Sequence, residues 1–310
     1  MPSFLQRAYT SLFKVCVRKD LSSWMHSSPK KQPIYGVYHI YCEKGWQTMV
    51  HEQIERWKAS GLMQASDKLF ISLISLHDDD RALLDKELSD LPKGKVEIIS
   101  FTNDPLVYEY PAIDFIYARS KKEPTALFYY FHTKGITYQS LDSDDPTFTK
   151  FYQKITSWRH MMEYFVIDKW QVAVNVLNDG YETYGCYLFP PFVNGMYAGN
   201  FWWTRADYFS KLDALDNKTK ADNRFKAEEW LLTKSRKPFS AFDTVADLYF
   251  VNITPDIYSS ERHSIWASFR FFCIYTFRKY QKKWFGYSYK KHCQERFQKL
   301  KAEVRTAPNR

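Results

Sequence analysis

The sequence predicts an α/β protein with a mostly parallel central sheet flanked by helices and a basic helical C-terminal extension. Three observations carry this. From Pro33 onward, short β-branched and aromatic runs alternate with segments of helical periodicity. One run, residues 126–131, is apolar without alternation, the pattern of a strand covered on both faces. The last 50 residues set aromatic rings at helical spacing among lysines and arginines.

Taken in order, residues 34–41 form the first expected strand. A helix follows, because Trp46, Met49, Val50, Ile54 and Trp57 recur at helical spacing while Glu52, Glu55 and Arg56 fall on other faces; Gly61 supplies a stop. Residues 69–76 read as the second strand and 95–101, entered through Pro92-Lys93-Gly94, as the third. A helical stretch near 112–119 leads into the buried strand 126–131, which ends abruptly at His132-Thr133-Lys134-Gly135. Helical spacing returns in Trp158, Met161, Met162 and Phe165, and again in Trp170, Ala173, Val174 and Leu177. Residues 183–189 read as another strand, Pro190-Pro191 opens a loop, and Gly199-Asn200-Phe201-Trp202-Trp203 precedes a helix near 206–212. The segment 224–232, RFKAEEWLL, is expected to be helical. Ligands of such sheets bind at the carboxyl ends of the strands, where HTKG stands.

With 310 residues, 45% apolar, and only 10 Gly and 13 Pro, the chain can bury a full core and is neither disordered nor collagen-like. No linker divides its middle, so one large domain, 32–260, is expected between a basic amphipathic arm, 1–31, and a basic aromatic tail, 261–310. The net charge of +9 is unevenly placed: the tail holds 13 Lys/Arg against 3 Asp/Glu, the arm 6 against 1, and the body is acidic. A body of that sign argues against a nucleic-acid partner, and no recognition motif is present. The apolar stretch 271–277 is too short for a membrane span and is flanked by Arg270 and Arg278; no signal-peptide pattern precedes the body. Cys16, Cys42, Cys186, Cys273 and Cys293 lack CxxC spacing, which argues for a reducing, cytoplasmic setting, where the sequons at Asn217 and Asn252 carry no glycan.

Four motifs occur in order: YHIYC in the first strand, HTKG after the buried strand, GNFWW, and R-x-x-A-E-x-W. Together they resemble a group of bacterial glycosyltransferase-like proteins of polysaccharide gene clusters with a GT-A-type nucleotide-sugar fold, and the resemblance spans residues 34–235. It implies a nucleotide-diphosphate sugar donor and a lipid-linked or lipopolysaccharide-type glycan acceptor. A non-catalytic glycan- or lipid-binding protein that keeps the fold is the alternative.

In that fold an Asp-x-Asp at the corresponding strand end holds a divalent metal against the donor diphosphate. Here Lys134, beside Gly135, is expected to neutralise phosphate oxygens directly, with His132, Thr133 and backbone N–H groups completing the cradle. The competing reading has His132 and Thr133 satisfying buried backbone groups while Lys134 is solvated. Gly199, Asn200, Trp202 and Trp203, with Arg224, are the expected sugar- or acceptor-binding residues; in an extended segment only one tryptophan lines the pocket and the other joins the core. Glu228 is the expected catalytic base, matching the glutamate of the A-E-x-W element, against the simpler role of a surface carboxylate paired with Arg224. Inversion rests on that carboxylate alone, and a retaining route stays open. Direct neutralisation by Lys134 would make a metal cofactor unnecessary, while Mn²⁺ or Mg²⁺ would find oxygen ligands in Asp142 and Asp144, or in Asp78-Asp79-Asp80, and the sequence leaves the choice open. His51-Glu52 does not continue into HExxH.

In the tail, Trp266, Phe269, Cys273, Phe277, Tyr280 and Trp284 form one helical stripe, with Arg278, Lys279 and Lys282 on other faces. That pattern predicts an interfacial helix on an anionic membrane surface, aided by Phe4, Leu5, Leu12 and Phe13, and so a cytoplasmic enzyme peripheral to the inner face of the membrane. A terminal helix docked on the domain is the other reading.

Overall fold

The computed structural model describes residues 15–25, 32–139, 141, 143–189, 195–216 and 225–306. The chain divides into two compact units: the larger holds residues 19–133 and 162–241, and the smaller takes residues 134–161, 242 onward and the chain before residue 19. These boundaries fall at neither residue 31 nor residue 260.

In the larger unit, strands and helices alternate as their periodicities require. They are β1 (Ile34–Tyr41), α1 (Trp46–Ala59), β2 (Lys68–Ile74), α2 (Asp80–Glu87), β3 (Val96–Thr102), α3 (Tyr110–Lys122), β4 (Leu127–His132), α4 (Trp170–Asn178), β5 (Thr183–Gly185), β6 (Trp202–Arg205) and β7 (Pro238–Ser240). The seven strands make one sheet in the order β7-β5-β6-β4-β1-β2-β3. All neighbours are parallel except β6, which runs antiparallel to both β4 and β5. The mostly parallel α/β sheet is therefore present. The chain builds outward from β1 to β3 and then returns to lay β4 on the other side of β1, so the order reverses between β1 and β4. At such a reversal the crossovers leave on opposite sides and a crevice opens beyond the carboxyl ends.

Both faces of the sheet are covered. On one face, Val37, Phe128, Tyr130 and Trp202 pack with Ile113 and Ile116 of α3 and with Trp230. On the other, the Tyr129 hydroxyl meets Trp57 Nε1 of α1 at 2.7 Å and Ser66 Oγ at 2.8 Å, which satisfies a phenol that is fully buried.

Two stretches depart from simple periodicity. Residues 183–189 are not one strand: β5 ends at Gly185, Tyr187 turns into the left-handed region at φ 60°, and Leu188–Phe189 pairs instead with Met196–Tyr197. The segment from Phe225 makes only one α-turn, Lys226–Glu229, before tightening into a 3₁₀ turn, Trp230–Leu232, because its three apolar residues must all be buried within one turn.

In the smaller unit, Phe151, Ile155, Phe250, Tyr289 and Cys293 form a core, and Val17–Arg18 pairs antiparallel with Phe242–Asp243. The basic tail folds as two helices, α5 (Ile265–Phe285) and α6 (Tyr289–Thr306). Gly286, at φ 66°, ends the first. Among the described residues no helix is long and apolar enough to cross a membrane. Phe4, Leu5, Leu12 and Phe13 of the basic arm lie outside them.

Candidate functional site

The carboxyl ends of the parallel strands carry a polar row. His39 of β1 is directly in register with His132 of β4 on one side and with Ser72 of β2 on the other, and Ser72 with Ser100 of β3. Residues opposite one another share a face of the sheet, so four polar side chains line up across four strands. His39 Nδ1 lies 3.3 Å from Ser72 Oγ, and Ser100 Oγ donates to Ser72 Oγ at 2.8 Å.

Glu109 closes the row at His132. It immediately precedes α3, whose Pro111 suits the first turn, yet its side chain does not cap that helix. The carboxylate instead lies 3.2 Å from His132 Nδ1 and accepts the Tyr130 hydroxyl at 2.8 Å and the Asn200 side-chain amide. Asn200 in turn accepts Trp202 Nε1 at 2.7 Å. Burial works against the charged form of Glu109, but His132, His39 and the Tyr130 hydroxyl outweigh it and hold the carboxyl down to about 2. The side chain is still 19% exposed, so the cluster reaches solvent. Burial also lowers the His39 imidazole to about 4, with His132 adding to the fall and Glu109 opposing it. Tyr130 is pushed well above the usual phenol range by burial, by Glu109 and by Glu228.

That last effect locates Glu228. Its turn is held near the start of α3, where the Tyr110 hydroxyl meets the Ala227 backbone, and its charge acts on the Tyr130 hydroxyl. The Glu228 side chain is half-buried and has no hydrogen bond or ion pair among the described residues, whereas Glu229 pairs with Lys226 at 3.8 Å. Two backbone features frame the cluster. Tyr108, just before Glu109, sits at φ 46° and ψ −137°, and Asn200 at φ 58° follows Gly199 at φ 96°. Non-glycine residues in this region are strained and persist where their surroundings require them.

The expected site residues divide accordingly. His132, Asn200 and Glu228 come together in the larger unit. Thr133 is occupied at the strand end, its Oγ1 accepting the Tyr41 N–H at 3.0 Å while its own N–H donates to the His39 carbonyl. Lys134 and Gly135 belong to the smaller unit. There Lys134 Nζ stands 4.7 Å from the centre of the Trp158 ring, a cation–π contact. Gly135 turns at φ 86°, where a Cβ would come within 2.6 Å of Ile155. Trp202 and Trp203 take opposite faces, as the strand requires, and both are core: they are 1% and 0% exposed, and Trp203 Nε1 donates to the Val166 carbonyl at 2.8 Å. Asn200, 1% exposed, holds Glu109. Arg224 and Asp142 lie outside the described residues.

The carboxylates expected to suit a divalent cation do not gather a ligand set. Asp144 is exposed in its loop, and Asp145 caps the helix Pro146–Glu163 while pairing with Arg296 at 2.8 Å. Asp78 accepts from Asn103, and Asp80 from Trp46 and Ser75. Among the described residues no group of three or more His, Cys, Asp or Glu is arranged to hold a metal.

Three residues of the cluster carried no role in the sequence. Glu109 stands just before α3 and belongs to none of the sequence motifs. The signals for the others were local: His39 and Tyr130 place polar groups inside strands that are otherwise apolar, and buried polar groups need partners.

No protein-family model matches the chain, and no curated protein matches it. Among solved structures, the chain is similar to 4-diphosphocytidyl-2C-methyl-D-erythritol synthase from Anaerococcus prevotii, at a TM-score of 0.36 and 6% identity, over 78% of this chain and 97% of that one. A likeness that distant bears on neither fold nor function.

Proposed function

We propose that the chain is a nucleotide-sugar-dependent glycosyltransferase whose donor occupies the crevice beyond β1 and β4, with Glu228 as the base. The observation that carries this is Glu228 itself: a half-buried carboxylate, without a partner among the described residues, whose charge is felt by Tyr130 of the fixed cluster at the strand-order reversal. The motif order of the sequence supports the sugar-transfer class.

In this mechanism the acceptor hydroxyl oxygen attacks the anomeric carbon and its proton passes to Glu228. The bond from that carbon to the diphosphate oxygen breaks, and the electron pair leaves with the nucleoside diphosphate. Attack opposite the leaving group inverts the anomeric centre. Glu109 is a positioning residue, keeping His132 and Asn200 oriented, and His132 is the expected hydrogen-bond partner of the donor. No step is assigned to Lys134, whose ammonium lies over the Trp158 ring, or to Arg224.

The test is turnover of nucleotide sugars, followed as release of nucleoside diphosphate with and without glycan acceptors and Mn²⁺. Glu228→Gln is expected to reduce turnover by about 10²–10⁴ while leaving nucleotide-induced thermal stabilisation intact. Undiminished turnover in that variant would refute Glu228 as the base. Stabilisation by glycan, with no turnover of any donor, would make the chain a binding protein.

A further inference from the structure

The helix α5 presents an aromatic stripe that the described residues leave uncovered. Trp266 is 80% exposed, Phe269 53%, Phe277 61% and Trp284 68%. With Cys273 and Tyr280, also exposed, they recur at intervals of three and four residues and so lie in a band along the whole helix. At 100° per residue the six fall within about 80° of arc. Phe271, on the far side, is the buried residue that ties the helix down.

The charges around this band are one-sided. Residues 265–285 contain Arg270, Arg278, Lys279, Lys282 and Lys283 and no Asp or Glu. Arg270 and Lys283, both exposed, stand on the two borders of the aromatic band. A protein partner for six apolar positions would be met by a rim of mixed charge, whereas a rim of cations alone matches a surface of anions. Tryptophan and tyrosine have amphipathic rings suited to the headgroup level of a bilayer, and a helix that is polar on one face and aromatic on the other lies in that plane.

We infer that α5 is a docking helix for an anionic phospholipid surface, lying parallel to the bilayer with Trp266, Phe269, Phe277 and Trp284 inserted and Arg270 and Lys283 at the headgroups. This is independent of the chemistry assigned to Glu228.

The experiment is flotation of the full chain with vesicles of phosphatidylcholine alone and of phosphatidylcholine with about one third phosphatidylglycerol. Binding is expected to the anionic vesicles and to weaken as salt is raised. The triple variant Trp266→Ser, Phe277→Ser, Trp284→Ser should lose flotation at low salt while its melting temperature stays that of the wild type, since the three rings are exposed. The double variant Arg270→Gln, Lys283→Gln should bind about 30-fold more weakly, at about a tenfold-scale loss for each 1.4 kcal/mol and about 1 kcal/mol for each cation. Equal binding to neutral vesicles, no binding to anionic ones, or unchanged flotation of the triple variant would overturn the inference. So would a dimer in light scattering that the triple variant dissolves, because the stripe would then serve a second copy of the chain.

Discussion

At the scale of single residues, the cluster is an arrangement of groups whose charges are set by their neighbours. The His39 imidazole, 5% exposed and beside the Ser72 hydroxyl, is kept in its neutral form by burial, and its ordinary value of 6.5 falls to about 4. A histidine lowered on folding contributes stability that is fully present above pH 6.5 and is lost as the pH falls toward 4. Denaturant titrations across that range should therefore show a loss of at most about 3 kcal/mol, and His39→Gln should flatten it. Glu109 behaves in the same sense at lower pH, because its carboxyl is also lowered. Its contribution is complete above 4.5 and disappears toward 2. Glu109→Gln removes a charge that accepts from Tyr130 and Asn200 and faces His132, and a loss of about 2 kcal/mol in chemical denaturation is expected at neutral pH. A value near zero would mean that the carboxylate is not ionised in the folded protein.

At the scale of elements, two supports hold the cluster at the strand ends. Helix α1 reaches it through Gln53, which donates to the His132 carbonyl at 3.3 Å and to Glu163 at 2.8 Å and accepts the Tyr38 hydroxyl at 2.6 Å. The same Glu163 accepts from Arg56 at 2.9 Å. Replacing Gln53 by Leu keeps the volume but removes three buried hydrogen bonds, so Gln53→Leu is expected to cost about 3 kcal/mol, against less than 1 kcal/mol for an exposed α1 position such as Glu52→Ala. The second support is the turn from Tyr197 to Trp202. Asn200 N donates to the Tyr197 carbonyl at 2.8 Å, and Gly199 at φ 96° is what lets the chain turn so sharply. Gly199→Ala should destabilise by about 1–2 kcal/mol, and because the turn carries Asn200, it should also lower turnover more than a stability loss alone explains. Normal activity in a fully folded Gly199→Ala protein would separate the turn from the site.

At the scale of the whole molecule, an acidic body and a cationic tail occupy one chain of net charge +9, and binding at the crevice is read as a global change in stability. A nucleotide sugar present at about 100 times its dissociation constant should add about 2.7 kcal/mol, a rise of about 2–4 °C in melting temperature for a protein of this size. A screen in which no nucleoside diphosphate or nucleotide sugar moves the transition would count against the crevice as a donor site. Much of the fold was legible in the residues because periodicity is a local property: the runs at β1 to β4, the helices α1 and α3 and the long aromatic helix α5 all follow from neighbours within a few turns, whereas α2, with its short and mostly charged sequence, was not read. The break at Cys186-Tyr187 and the shortened turn after Phe225 were not, since each answers to packing partners distant in the chain. The site was legible in part. His132, Asn200 and Glu228 stood out as residue types at strand and turn ends, but the work of Asn200 was visible only once Glu109, 91 positions away in sequence, lay against it. By itself the sequence determined the alternation of strands and helices and the charge of the tail, because both are written in short-range pattern and composition. Only the tertiary structure decided which polar groups meet, because strand order and register bring distant residues together and burial sets the charges they hold there.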